Sequence, residues 1–537
     1  MNATAASRRL GLRRPGSARR PPAALRVVAI TVALLATVTL VYLVVRAADG
    51  GLGSLQPLFR ARTLELVVST LTLGLVVAAG AITLGVPLAW LTVRTDLPGR
   101  RAWSVVTVAP LAIPSYLLAF SFVGAFAPRG WLASWFGPVD AGVLPSPYGL
   151  GGAALILTLA TTPYVVIATR AALARLDPAT DEAARSLGSG PWAAARTAVL
   201  PVILPAMGAG ALLAGLYAIS DFGAVSILRY DTLATAIYSQ YRFSFDRSAA
   251  AALAILLLLL AMALVWAEGF VRRRAAIRSP HGRRRVPAVI RLGGWRWPAI
   301  GLCVGVATLS IGVPSVTIGA WLVSGMRSAL DLSDAIEALR DSLVLAVGAS
   351  SLALVAAIPL AWLIVHYPGR WSTSSERLLY VVYAVPGISL ALAVVFFTLH
   401  VVPVLYQTLF ALILAVAMRY LIQSVGALQG PVLQISPRTL EAARSLGERP
   451  WGVLRTITVP LLRPGLIAGI ALVFLSALKE LPLTLLLAPT GFKTLATRLW
   501  DAARDAFYGQ AAIPALLLLV VSFLSVGLLI HRGDIKA

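Results

Sequence analysis

The sequence predicts an all-α membrane protein with about twelve spanning helices, arranged as two fused six-helix repeats. Three observations support this prediction: an apolar composition, apolar runs of spanning length, and an internal repeat. Of the 537 residues, 58% are hydrophobic and 13% are charged, and the mean hydropathy is +0.84. Because a soluble protein carries roughly a quarter charged residues, this composition favours a chain embedded in a bilayer.

Apolar runs recur along the chain at the length of about 20 residues that a helix needs to cross a bilayer. The first set of predicted spans lies near 27–45, 64–93, 104–126, 150–173, 200–220 and 249–271. The second set lies near 298–325, 341–366, 378–400, 404–428, 460–488 and 511–531. Prolines inside several spans are compatible with this assignment, because neighbouring helices can satisfy the freed backbone groups. They are Pro87, Pro114, Pro163, Pro359 and Pro386.

The distribution of basic residues predicts the side of the membrane on which each loop lies, because Lys and Arg accumulate in cytoplasmic loops. With the N-terminus inside, 32 of the 46 Lys and Arg residues lie in or beside inside segments and 13 in or beside outside segments. Arg419, within a span, is the remaining one. Both halves show this bias, so both termini are predicted to be cytoplasmic. The net charge of +24 therefore reflects orientation, and no nucleic-acid partner is predicted.

The predicted domains follow from these spans. Residues 1–26 form a basic cytoplasmic tail, 27–271 the first transmembrane domain, 298–531 the second, and 532–537 a short cytoplasmic tail. Between the two domains, 272–297 holds nine arginines together with proline and glycine. That composition predicts a solvated cytoplasmic linker held near anionic lipid headgroups.

An internal repeat at an offset of 259 residues relates the two halves. Positions 178–205 and 437–464 share 15 identical residues among 28. Looser matches pair 87–91 with 359–363, 97–100 with 367–370, and 232–235 with 494–497. The best-preserved part is a polar loop predicted to be cytoplasmic, whereas a repeat that only filled a bilayer would preserve its spans at least as well. A matched loop therefore indicates that both halves meet the same kind of partner.

The repeated loop carries the signals of short helices. Each copy begins with a capping residue before a proline at the first helical position, in Asp177-Pro178 and Ser436-Pro437, and each ends the helix at a glycine. The candidate docking residues are Glu182, Ala183, Ala184 and Gly188 in the first copy and Glu441, Ala442, Ala443 and Gly447 in the second. Small alanines permit close approach of another surface. One copy alone fits an amphipathic connector equally well, but two matching copies favour docking.

At these residues the chain resembles the membrane subunits of ABC importers. Their hallmark is Glu-Ala-Ala, three residues, Gly, nine residues, then Ile, any residue and Leu-Pro. The second copy has Val459 before its final proline, and the first has Ala198 in place of the isoleucine. Neither departure touches the Glu or the Gly. The resemblance implies the type I ABC importer permease fold, with a coupling helix that seats in a cleft of a separate ATPase and drives alternating access.

The resemblance covers nearly the whole chain after the N-terminal tail, and the fused layout is similar to permeases that import ferric iron. The segments that carry this likeness are 220–226, 229–232, 479–482 and 489–492. It implies two ATPase subunits that bind ATP, an extracytoplasmic solute-binding protein, and a place in the bacterial inner membrane. Thiamine permeases share the fused layout, so thiamine or a phosphonate stays open as the alternative cargo.

Other function classes have weaker support. The sequence contains no Gly-x-x-x-x-Gly-Lys-Ser/Thr phosphate loop, so ATP hydrolysis is assigned to a partner chain, and neither a catalytic constellation nor a cofactor is expected here. Asp221-Phe222-Gly223 spells the kinase magnesium triplet, but the other kinase loops are missing from the sequence. Ion-coupled secondary transporters also use fused repeats. They usually keep mid-span carboxylates or histidines, whereas the candidates here cluster at helix ends.

Ionisable residues beside the spans are the candidates for the translocation path or its gate, because charge within a membrane is costly and usually functional. They are Tyr217, Asp221, Lys479 and Glu480, with Asp221 and Glu480 aligned at the repeat offset. Tyr217, Tyr230 and Asp221 could together offer oxygen ligands to ferric iron. These residues are instead expected to form structural pairs and not to bind iron, because a path that bound iron tightly would release it slowly. One cysteine and scattered histidines predict no metal cluster.

Overall fold

The computed structural model of the protein is all-helical, as predicted. It describes residues 21–49, 51–128, 130–132, 146–174, 186, 190, 193, 195–244, 246–278, 289–325, 332–505 and 507–532. Within these ranges the β-type pairing is an isolated bridge between Thr95 and Ile290. Ten described helices are long and apolar enough to cross a membrane, and the number rises to as many as twelve if each of two bent helix pairs is one span.

The helices of the first half begin and end within a few residues of the predicted spans. They are α1 (Ala23–Asp49), α2 (Ala61–Arg94), α3 (Arg100–Val106), α4 (Ser115–Phe126), α5 (Gly149–Leu173), α6 (Leu200–Ser220), α7 (Gly223–Ile227), α8 (Leu233–Arg242) and α9 (Arg247–Arg278). A 3-10 turn, Ala109–Ala112, lies between α3 and α4.

The second half follows the same order. Its helices are α10 (Arg296–Ala307), α11 (Val313–Gly325), α12 (Leu332–His366), α13 (Arg370–Ala384), α14 (Gly387–His400), α15 (Leu409–Gln434), α16 (Pro437–Ser445), α17 (Pro450–Val453), α18 (Val459–Leu478), α19 (Pro482–Leu487), α20 (Leu495–Arg504) and α21 (Tyr508–Arg532). Single π-helical turns join α10 to α11 and α17 to α18.

Two predicted spans, 104–126 and 378–400, are bent helix pairs in the structure. The first is broken at a 95° bend before α4, and the second at a 104° bend between α13 and α14. Pro114 and Pro386 lie at these breaks with extended backbone, at ψ 142° and 138°. Proline lacks an N–H and disfavours helical backbone in the residue before it, so the preceding helix ends there. The other highlighted prolines, Pro87, Pro163 and Pro359, lie within continuous helices.

Part of the predicted linker is helical, and one predicted span is shorter in the structure than in the prediction. Helix α9 continues to Arg278, and a 3-10 turn begins at Gly293, so 272–278 and 293–297 are helical. Residues 279–288 lie outside the described residues. The predicted span 460–488 ends at Leu478 and is followed by the separate short helix α19.

The structure repeats the same contacts in both halves. A Cβ on Gly210 would lie 2.8 Å from the Val165 backbone, and a Cβ on Gly469 would lie 3.3 Å from the Ser424 backbone. Both members of the second pair follow those of the first by 259 residues. Membrane helices pack closely where such small residues meet. The sequence repeat therefore corresponds to a repeated helix packing.

The looser sequence matches also prove to be structural equivalents. Thr232 and Thr494 accept a hydrogen bond from the N–H three residues later and begin α8 and α20. The residue after each threonine donates its N–H to a hydroxyl oxygen. Leu233 donates to Thr70 at 3.0 Å, and Leu495 donates to Ser342 at 2.7 Å. These contacts place α8 and α20 on equivalent spans, α2 and α12.

The close approach at Gly210 gives a test of this packing. We expect Gly210→Ala to lower the free energy of unfolding by about 1–3 kcal/mol, because the added methyl must displace backbone of α5. Gly305 lies in α10 with open space around its Cβ position, so Gly305→Ala should not destabilise the protein. Thermal unfolding in detergent measures both. Equal stability of the two variants would contradict the packing seen here.

Contacts divide the chain into two compact units that do not follow the two sequence halves. One comprises Ser350–Tyr383 and Ala417–Val473 with the described residues up to Val38. The other comprises Thr39–Ala349, Ala384–Val416 and the described residues from Phe474 onward. In the latter, α2, α5 and α6 pack around a core of Ala81, Val165, Ala211 and Ala214.

Candidate functional site

The second copy of the repeated loop forms the short helix α16 that the sequence predicts. The helix follows Ser436, whose carbonyl accepts the Thr439 N–H at 3.0 Å. Gly447 adopts a left-handed backbone with φ 87°, and the Glu448 N–H reaches back to the Ala443 carbonyl at 3.2 Å. This six-residue closure with glycine at the left-handed position is a Schellman stop, so Gly447 ends the helix as predicted, while its part in docking stays a prediction.

The loop presents a mixed acidic and apolar surface. Glu441 and Ala442 are exposed on α16, whereas Ala443 is buried against the protein. Leu446 is 85% exposed and Trp451, in α17, is 72% exposed. A leucine so exposed between candidate spans, beside an exposed tryptophan at the start of the next one, indicates a surface that another protein covers. Sequence reasoning singled out the glutamate and the small alanines but missed Leu446, although it is part of the repeated sequence.

A histidine attaches the base of this loop to a spanning helix. The Nε2–H of His366, the last residue of α12, donates to the Ile435 carbonyl at 3.0 Å. Its ring stacks on Trp362 with centroids 4.4 Å apart. Ile435 is buried two residues before α16, so this hydrogen bond links the segment before α16 to the end of α12. The sequence offers no local signal of this contact, because its partners are 69 residues apart.

The first copy of the loop lies outside the described residues. Its candidates are Glu182, Ala183, Ala184 and Gly188. Their assignment as docking residues therefore stays a prediction based on the repeat.

The aligned carboxylates Asp221 and Glu480 have the same local role. Asp221 Oδ1 accepts the Ala224 N–H at 2.8 Å at the start of α7. Glu480 Oε1 accepts the Leu483 N–H at 3.2 Å at the start of α19. A carboxylate at a helix start satisfies backbone donors that lack an intrahelical partner. Both residues thus cap the short helix that follows a spanning helix in each half.

Asp221 and Lys479 also hold the two sides of one helix break. On one side, the Ser115 hydroxyl at the start of α4 donates a hydrogen bond to Asp221 Oδ2. It also accepts a hydrogen bond from the Tyr217 hydroxyl at 3.2 Å. On the other side, Lys479 Nζ donates to the Leu111 carbonyl at 2.6 Å. Between them lies the bend at Pro114. Lys479 therefore pairs structurally with a backbone carbonyl of the first half.

The suggested iron ligands do not form one site. Tyr217 and Asp221 meet through Ser115, but the Tyr230 hydroxyl donates to the Ser69 carbonyl at 3.1 Å. Across the described part of the chain, no three His, Cys, Asp or Glu residues are arranged to hold a metal ion. The oxygen atoms near Asp221 that could bind a metal already make the hydrogen bonds that fix the helix break. What this cluster can do is hold or release the bend at Pro114.

The kinase-like triplet is part of the same packing. Phe222 is buried between the rings of Tyr238 and Trp500, at centroid distances of 4.9 and 5.1 Å. A Cβ on Gly223 would lie 2.8 Å from that of Tyr116. Gly223 thus allows α7 to approach α4, and Phe222 packs against α8 and α20.

Known proteins resemble this chain in sequence. The family model described as binding-protein-dependent transport system inner membrane component matches residues 81–277 and 349–532, once in each repeat. The Fe(3+)-transport system permease protein FbpB 2 of Haemophilus influenzae is 35% identical over 516 residues, which cover 95% of this chain and 98% of that protein.

Permeases named for other cargo match shorter stretches. The molybdenum transport system permease protein ModB of Escherichia coli is 31% identical over 173 residues, 32% of this chain and 71% of its own length. The sulfate transport system permease protein CysT of Escherichia coli is 30% identical over 141 residues, 26% of this chain and 50% of its own length. With two matches to the family model and a relative that aligns over nearly its whole length, the chain belongs to the binding-protein-dependent transport system inner membrane components.

Proposed function

We propose that this chain is the membrane-spanning permease of an ABC importer for ferric iron. The observation that carries the cargo assignment is the 35% identity to an Fe(3+)-transport permease over 95% of this chain. The molybdenum and sulfate permeases align with only about a third of it or less. The fused layout is therefore shared end to end with an iron permease.

Coupling to ATP hydrolysis takes place through the two repeated loops. Glu441 offers an exposed carboxylate, and Leu446 and Trp451 offer apolar contacts beside it. An ATPase cleft with basic and apolar walls complements this surface. Two copies of the loop require two ATPase subunits, which bind ATP and carry out hydrolysis, so this chain is a transport subunit and not an enzyme.

The remaining partners follow from the importer class. A solute-binding protein delivers the cargo on the outer side of the bacterial inner membrane, and both termini lie in the cytoplasm. Four residues belong to the gate of the path. Tyr217, Asp221 and Lys479 hold helix ends at the break in the first half, and Glu480 caps the equivalent short helix of the second half. They act on helix position and do not coordinate iron.

Uptake in proteoliposomes tests this function. The chain is reconstituted with the phosphate-loop ATPase and the solute-binding protein proposed as its partners, and radiolabelled ferric iron is offered on the outside. We expect uptake that requires ATP and that vanadate blocks. Thiamine uptake under the same conditions serves as the matched control.

Two results would overturn the proposal in different ways. Iron uptake without any ATPase subunit would contradict the ABC class. ATP-dependent uptake of thiamine in place of iron would keep the class and contradict the cargo.

A further inference from the structure

The end of the inter-half linker is bound to the first half of the chain. The Ile290 N–H donates to the Arg94 carbonyl at 2.8 Å, and the Asp96 N–H donates to the Ile290 carbonyl at 3.1 Å. The Leu292 N–H then donates to Asp96 Oδ1 at 2.8 Å. These bonds hold 289–292 in place beside the loop that follows α2.

This contact lies where two spans leave the hydrocarbon layer. One candidate span ends at Arg94, and the next one beyond the linker begins at Gly293. The backbone pairing of Thr95 with Ile290 puts both span ends at one level. That level is the headgroup region of the bilayer, where the polar ends of spanning helices are located.

A surface cavity of about 530 Å³ opens at this point. It is lined by Asp96, Leu97, Gly99, Arg100, Arg101 and Val289. Both arginines are exposed, whereas the Asp96 carboxylate is engaged by the Leu292 N–H. The cavity therefore has two cationic groups available for a ligand and an apolar wall from Leu97 and Val289.

The surroundings of the cavity are basic and aromatic. Arg291 and Arg296 are exposed, and Trp295 and Trp297 are 75% and 76% exposed. Exposed tryptophans at a span end are typical of the membrane interface, where the ring meets lipid and the N–H meets water. A lipid, unlike a soluble anion, would satisfy both the arginines and these rings.

We propose that this cavity binds the headgroup of an anionic phospholipid. Guanidinium groups bind phosphate oxygens with paired, charge-assisted hydrogen bonds, and basic pockets at the ends of spanning helices recognise anionic headgroups. The phosphate lies between Arg100 and Arg101, and the acyl chains follow the apolar surface of the adjoining spans. The bound lipid stabilises the contact between the linker and the loop after α2.

The second half provides an internal comparison. The turn that matches 97–101 is 367–371, in which Arg370 corresponds to Arg100 but Trp371 replaces Arg101. The linker segment with Val289 lies against the first turn. Arg370 is exposed at the first residue of its helix, as Arg100 is. Arg370→Gln is therefore a matched control.

Native mass spectrometry of the full chain in detergent tests the proposal. Phosphatidylglycerol and phosphatidylcholine are the two probes, each added in a titration. We expect one phosphatidylglycerol to bind the unaltered protein in preference to phosphatidylcholine. Arg100→Gln with Arg101→Gln should weaken its affinity by about 25-fold, since each basic residue near the surface contributes about 1 kcal/mol. Arg370→Gln should leave it unchanged.

A second variant keeps the arginines and guards against misfolding. Val289→Glu places a carboxylate in the cavity and should weaken phosphatidylglycerol binding similarly, with the elution volume of the protein unchanged. Equal affinity for both lipids, or unaltered phosphatidylglycerol affinity in both cavity variants, would overturn the proposal. Displacement of the lipid by millimolar inorganic phosphate would also overturn it, because the site would then be one for soluble anions.

Discussion

Replacing Glu182 and Glu441 together with alanine is expected to abolish ATP-driven uptake while the protein stays folded. Glu441 is exposed on α16, so its removal leaves no buried group unpaired and should not affect unfolding. Glu182 stands at the same place in the repeated sequence. The loss therefore falls on the contact with the ATPase subunits.

The size of the effect follows from the charge of these groups. A hydrogen bond to a charged group contributes about 1.5–3 kcal/mol, so losing two of them weakens docking by roughly 100-fold or more. Each single variant should bind more weakly but keep measurable uptake, because the second loop still holds its ATPase and the sites act together. Co-purification of the ATPase with the permease and iron uptake measure the two steps.

Glu448→Ala is the matched control for the double variant. Glu448 is an exposed carboxylate of the same loop, but it follows Gly447 and aligns with Ser189 in the first copy. It should leave uptake unchanged. Normal uptake in the double variant would remove the coupling role of these glutamates, and equal loss in Glu448→Ala would point to a general effect of loop charge.

The sequence predicted those features of the loop that depend on local chemistry. Gly447 ends α16 because only a few residues accept its backbone conformation easily, and that signal is readable from the sequence. The apolar spans are local signals too, and the offset between the halves is found by comparing the sequence with itself. By contrast, the bond between His366 and the Ile435 carbonyl joins distant parts of the chain, and no pattern in the sequence indicates it.

The prolines show why the bends could not be predicted. Pro87 and Pro114 both lie in apolar runs of spanning length, yet the helix continues through Pro87 and breaks at Pro114. The difference lies in the groups that bind the break, namely Ser115 with its Asp221 partner and Lys479 at the Leu111 carbonyl. The alignment of Asp221 with Glu480 was readable from the repeat. Neither the capping role of Asp221 nor the reach of Lys479 to a carbonyl 368 residues away was readable.

The second large effect is expected when Lys479 is substituted. Lys479 holds the bend at Pro114 in the first half, and its counterpart in the repeat is not a lysine. The residue at its place in the first half is Ser220, 259 positions earlier, and among the described residues the Ser220 hydroxyl has no hydrogen-bond partner. A charged group beside a membrane-spanning helix is costly and indicates a function. The function proposed above is to keep the bend at Pro114 in the conformation seen here.

Lys479→Met should therefore make ATP hydrolysis less dependent on the binding protein. The variant leaves the Leu111 carbonyl without its donor, which disfavours this conformation by about 1–3 kcal/mol. The population of this conformation relative to other conformations then falls by at least about fivefold. We expect hydrolysis in proteoliposomes without binding protein to rise by about that factor, and iron uptake per ATP to fall.

Two further variants decide whether the bend is responsible. Asp221→Ala releases Ser115 on the opposite side of the same break and should raise basal hydrolysis as well. Lys493→Met removes a lysine that lies 3.9 Å from Asp501 in a half-exposed ion pair. Exposed pairs contribute little, so this variant should behave as the unaltered protein. If Lys479→Met keeps the normal ratio of stimulated to basal hydrolysis, the bend at Pro114 is not the element that gates transport.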